Sequence, residues 1–352
     1  MTNPSDRILF KHIALTSVVI FWLACEDSRS DYNTIYNFDL HPAGRVSSLK
    51  MNESEYENYI SNDGFSDPAI RIPIIQDIYE RFPDKYDFIF FVLNESSIPA
   101  SLNYYGKLIG VSNDIEGIGL SKYDYSSEYG SSGKLKAIMQ LTGLEYLKYG
   151  PALHEIAHQW ANFALLTHSV DAQGQNISSF PYGSHWGFTG GSSPGQLGGF
   201  DQNTLIENGN SSYTVDAFGP FANGGNGVPY NELELYLMGM LPLSSVSSFD
   251  VFTNITSLTI NQSTWDFTAE TRITYVPETL ENALGGRVPS FTDSQKDFKL
   301  LLIVITDDNL SDDEWSKVDA TAEWFSKNGD DGTSLFNFWE ATNGVGSITI
   351  EN

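Results

Sequence analysis

Cysteine is nearly missing from this chain. Cys25 is the only one in 352 residues, so no disulfide can form within the molecule. Stability must come from packing, and a composition of 41% hydrophobic and 13% aromatic residues is enough for a large core in one domain or two merged lobes. Basic residues are scarce too: 19 Lys and Arg face 45 Asp and Glu, for a net charge of −26. The acidic groups are spread along the chain, which argues against nucleic acid as a partner and reads as a solvated exterior. Long apolar runs are lacking; the twelve residues from Ile13 to Ala24 are too short for an ordinary membrane span. No internal repeat and no long linker is visible.

What is present begins at the N-terminus. Arg7, Lys11 and His12 precede the apolar run Ile13 to Ala24, the charge-then-apolar order of a secretory signal. Ala24-Cys25 resembles the cleavage site of bacterial lipoprotein signals, in which the cysteine becomes the lipid-bearing first residue; Trp22 stands where those signals usually carry Leu. Loss of residues 1–24 would leave 17 basic and 44 acidic residues, net −27. The alternatives are a signal cut nearby with a free thiol, or an uncleaved anchor. Residues 25–34 are polar and acidic, a tether ahead of the folded domain.

The chemistry is concentrated in His154-Glu155-Ile156-Ala157-His158. Pro151 suits the first position of a helix with Gly150 before it, and Leu153, Ile156, Ala157, Trp160, Ala161 and Ala164 form one apolar stripe at helical period. His154 and His158, one turn apart, project together and can converge on one ion. Glu155 is rotated about 100° from His154, placed to touch a metal-bound water and take its proton. A catalytic zinc held by three protein ligands keeps a fourth position for that water and lowers its pKa toward ~7. Two hydrogen-bonded structural histidines are the bland alternative.

Elsewhere the pattern predicts a helix over Pro73–Phe82 stopped by Pro83, a buried strand over Tyr86–Leu93 and a second strand over Lys107–Ser112. The Gly- and Tyr-rich stretch Ile115–Gly133 is expected to run past the site helix, and Lys134–Lys148 fits helix or strand equally well. Between Gly183 and Gly227 stand twelve glycines, expected in cleft-lining loops. Within that stretch, Phe200–Ile206 and Ser211–Ala217 flank Asn208-Gly209 as a hairpin, where Asp201 and Asp216 could bind calcium or serve as turn groups. Tyr230–Gly239 reads as a short helix ended by Gly239, Lys299–Thr306 as a buried strand, and Ser311 with Glu314 as a capping box for a helix to about Lys327. Asn328–Thr333 is a turn lacking full calcium-loop spacing; Phe336–Ala341 is helical and Ser347–Ile350 a last strand.

The His-Glu-x-x-His helix resembles that of the zincin metallopeptidases. More narrowly, Gln159-Trp160, His185-Trp186, Tyr230-Asn-Glu-Leu-Glu-Leu-Tyr-Leu-Met-Gly239 and Phe338-Trp-Glu-Ala-Thr-Asn-Gly344 are similar to segments of a group of secreted bacterial zincin-like proteins, from about Tyr86 onward. That group commonly has Ser and Asp where this chain has Asn231 and Glu234. The resemblance implies an α+β zincin-like domain, with a mixed sheet packed on an active-site helix, spanning residues 35–352, and a peptidase-like site without a defined substrate.

Ala161 and Ala164 stand where a metzincin would have Gly and His, which excludes that class. His168 is too near the helix end, and His12 and His41 lie far upstream. His185 is therefore taken first as the third ligand and Glu234 second, the latter on the thermolysin-like pattern. Tyr213, Tyr230 and Tyr236 could stabilise an oxyanion or simply pack. The expectation is an exported metallo-endopeptidase, lipid-anchored at the bacterial cell envelope and facing the periplasm or exterior. His154, His158 and His185 would bind zinc, Glu155 would act as general base, and the substrate would be a protein or peptide. Its rival is a surface binding lipoprotein with a structural or inactive zinc site; a hydrolase of non-peptide substrates is a further alternative.

Overall fold

The segment Phe88–Leu93 is Phe-Ile-Phe-Phe-Val-Leu, with every residue buried, as expected of a strand covered on both faces. In the computed structural model it runs parallel to Asp297–Thr306 on one side and to Ala137–Leu141 on the other. Residues 34–161, 164–165, 167–170, 177–180 and 185–352 are described, with 167–170 and 177–180 as backbone. The signal, Cys25, most of the tether and the side chain of His168 lie outside them.

Val46–Lys50 and Ser347–Ile350 lie parallel to the two halves of Asp297–Thr306, and Asn37–Leu40 closes that side antiparallel. Gly106–Gly110, antiparallel to Ala137–Leu141, is the edge strand of the opposite side. The result is a seven-stranded mixed sheet in an α+β fold.

Alternation along the central strand divides the core. Ile89, Phe91 and Leu93 meet Tyr56 and Tyr59 of the helix Glu53–Ser61 and Ile74, Ile75 and Ile78 of the helix Pro68–Arg81. Phe88, Phe90 and Val92 face the opposite cluster, which contains Leu153, Ile156 and Trp160 of the His-Glu-x-x-His segment. Trp160 packs edge-on against Phe88 and tilted on Phe298, fixing that segment to the sheet.

Several local expectations are corrected. The second helix starts at Pro68, not Pro73, because Asp67 accepts the Ala69 N–H as its N-cap; Pro73 sits inside it. Burial of Ile74, Ile75 and Ile78 on the sheet offsets the hydrogen bond that Pro73 cannot make. Lys134–Lys148, open between helix and strand, is the strand Ala137–Leu141 followed by the one-turn helix Tyr146–Tyr149. The expected hairpin forms between Ile206–Gly209 and Ser212–Asp216, with its turn at Asn210 and Ser211, both at positive φ. Asn208 remains in the strand and bonds across it to Thr214 Oγ1, while Phe200–Asp201 pairs instead with Gly190–Gly191. A long hairpin that the sequence pattern does not predict, Phe249–Ile260 with Thr264–Tyr275, builds a second, four-stranded sheet with Ile206–Gly209 and Ser212–Asp216.

Candidate metal centre

The site helix is shorter than its apolar stripe. Regular α-helix covers Ala152–Ala157, after which His158, Gln159 and Trp160 each bond three residues back, a tighter winding that still places His158 over His154. Pro151 is the N-cap residue and not the first helical residue, and it offers no side-chain cap. The cap comes from a distant loop. Asn226 Oδ1 accepts the Leu153 N–H at 2.9 Å, and its Nδ2 donates to the carbonyls of Leu147 and Lys148. Tyr230 Oη donates to the Leu153 carbonyl at 2.8 Å. Nothing local marked Asn226 for this role; it is one Asn in a Gly-rich run.

His154, His158 and His185 converge. Nε2 of His154 lies 3.2 Å from Nε2 of His158 and 3.3 Å from Nε2 of His185. Nitrogens bound to one tetrahedral zinc at ~2.0–2.1 Å would be about 3.3 Å apart, so the residues present fit that ion. His154 Nδ1 donates to the Gln196 carbonyl at 2.8 Å, which leaves its Nε2 with the lone pair a metal needs. Burial lowers the pKa of His154, and burial followed by repulsion from His154 lowers that of His185 to about 3, so both rings are neutral at neutral pH, the form able to bind a metal. Among the described residues no fourth His, Cys, Asp or Glu joins this group.

Glu155 opens onto the same cavity, about 680 Å³, lined by the three histidines with Gly106, Lys107, Leu108, Gly110, Leu120 and Tyr123. Burial raises its pKa to about 7, against the opposing backbone hydrogen bond at Leu108 and the charge of Lys107. The edge strand approaches closely because it begins with glycine: a Cβ at Gly106 would stand 2.7 Å from Glu155 Cγ. Tyr123, from the stretch expected to pass the helix, is the tyrosine in this lining.

Glu234 stands elsewhere. Its carboxylate is fully buried and accepts Trp186 Nε1–H at 3.0 Å and the backbone N–H groups of Gln196, Leu197 and Asn231 at 3.0, 2.8 and 2.9 Å. No known family model, curated protein or solved structure matches this chain. Of the three tyrosines considered for an oxyanion, Tyr213 packs on Phe252 and Phe267, Tyr230 holds Leu153 and Tyr236 lines a separate pocket beside Arg287; none borders the histidine cavity. Asp201 caps the turn Gln202–Thr204, and among the described residues neither it nor Asp216 belongs to a cluster able to hold an ion. Asp330 and Asp331 accept backbone N–H groups within their turn, which also nears Glu340. His41 lies against Trp315 and Asp319.

Proposed function

We propose that this protein is a zincin-like, zinc-dependent metallo-endopeptidase, exported and lipid-anchored at the cell envelope. The observation that carries the reading is the spacing of the three Nε2 atoms, 3.2 and 3.3 Å, with Glu155 opening onto the same cavity. His154, His158 and His185 would hold zinc, which when bound supplies a Lewis acid for activating water and polarising a carbonyl. Glu155, its pKa raised to about 7 by burial, is suited to take a proton from the attacking water and return it to the departing amine.

The neighbouring strand supports a peptide as substrate. Gly106–Gly110 ends the sheet on that side, and four of its residues line the cavity. An extended peptide adding to this edge would run past the triad with its backbone held by main-chain hydrogen bonds. The rival structural-zinc reading calls for a fourth protein ligand, whereas three are found among the described residues.

The test is metal analysis of purified residues 26–352 together with a broad peptide-library cleavage assay. About one zinc per chain and chelator-sensitive cleavage are expected. Bound zinc with no cleavage of any peptide would favour the binding-protein reading.

A further inference from the structure

We propose that Glu234 is a positioning residue that tunes the metal-binding strength of His154 through one rigid peptide unit; this rests on the reading of the triad as a metal site. The Leu197 N–H and the Gln196 C=O belong to the same planar, trans peptide, so they point in opposite directions. The N–H donates to Glu234 Oε1 at 2.8 Å and the C=O accepts His154 Nδ1–H at 2.8 Å. A buried carboxylate therefore acts on a ligand histidine with a peptide group between them. Carboxylates that bond a ligand histidine directly fix its orientation and raise its basicity, and hydrogen bonds in a chain polarise one another.

The same carboxylate anchors a second ligand. Its Oε1 accepts the indole N–H of Trp186, the neighbour of His185, and Trp186 N–H donates to the Leu197 carbonyl at 2.7 Å. Glu234 thus ties the loop carrying His185 to the loop orienting His154. Close approach requires Gly195, where a Cβ would fall 2.5 Å from Asn231 Nδ2 and 2.7 Å from Glu234 Oε1. Gln196 Nε2 fastens the far side of this loop to the Gly225 and Val228 carbonyls.

The experiment measures zinc affinity by chelator competition, in metal-free wild type, Glu234→Gln, Gly195→Ala and Ser311→Ala. Ser311→Ala removes a helix cap outside the histidine cavity and outside both ligand loops, and sets how far plain destabilisation moves the affinity. Glu234→Gln keeps the shape but must turn an N–H donor toward two others, and it should weaken zinc binding by ~10–100-fold. In the zinc-loaded protein, the proton signal of His154 Nδ1–H should shift upfield in the same variant. Gly195→Ala pushes the loop off the carboxylate with Glu234 intact, so it should weaken zinc in the same direction and tests the link even where Glu234→Gln does not fold. Wild type that fails to bind zinc would remove the metal-site reading itself. Wild type that binds zinc while neither variant weakens it more than Ser311→Ala would overturn the role of Glu234 alone.

Discussion

Glu155 carries the proton transfer in this proposal, and its removal should separate binding from chemistry. Glu155→Gln is expected to retain about one zinc per chain while hydrolysis falls by at least ~100-fold, because an amide cannot accept the proton. Elemental analysis beside peptide cleavage checks this, and wild-type turnover by the variant would exclude the mechanism. His185→Ala should instead lose zinc on dialysis against a mild chelator, since one of three converging nitrogens is gone. His154 and His158 were legible because a spacing of four residues in helical winding brings side chains together, even though the regular helix ends at Ala157. The third position was not: His185 and Glu234 both suit it in sequence, and only the fold brings His185 to the pair and surrounds the Glu234 carboxylate with Trp186, Gln196, Leu197 and Asn231.

A local cap did not by itself make a helix readable in sequence: Glu53–Ser61, with its own capping box, was not expected, and Pro68–Arg81 was expected to start later than its Asp67 cap. Ser311 with Glu314 and Asn231 with Glu234 form the capping boxes of their helices, and Gly239, at φ +78°, ends the second of these. The site helix owes its cap to Asn226, 73 residues from Leu153. Asn226→Ala would leave a buried N–H and two carbonyls unpaired, and a loss of about 2–3 kcal/mol is expected in chemical denaturation. The second sheet gives a pH-dependent counterpart. Burial pushes the Asp250 carboxyl up, but hydrogen bonds from Arg272, Thr274 and Gln202 outweigh it and hold the pKa below the usual range. A depressed carboxylate stabilises the fold above its unfolded pKa, and this contribution fades as pH falls through the folded value. Asp250→Asn should therefore cost about 1–2 kcal/mol at pH 7, with the gap from wild type narrowing below about pH 4 in paired denaturation curves. This sheet is hard to read from sequence because the second half of each long strand, residues 256–260 and 270–275, is exposed or half-buried, so the inward alternation of Trp265, Phe267 and Ala269 is short.

For the whole molecule, the α+β class was visible in the central strands, whose runs of buried aromatic and aliphatic residues are strong local signals. Strand order was not, because placing Asp297–Thr306 beside Phe88–Leu93 depends on a register more than 200 residues apart in sequence. Net charge bears on how such a body would stay at a membrane. With −26 overall, attraction to anionic headgroups offers no anchor, and no helix among the described residues is long and apolar enough to cross a bilayer. Retention at the envelope would then rest on the lipid proposed for Cys25. A single acyl chain binds membranes marginally, so stable anchoring needs the several chains that a lipoprotein cysteine carries. Cys25→Ser is accordingly expected to shift the protein from the detergent-extracted membrane fraction to the soluble periplasmic or secreted fraction, with its zinc content unchanged. Fractionation followed by immunoblotting measures the shift, and mass spectrometry finding an unmodified Cys25 in the membrane-bound native protein would rule out the lipid anchor.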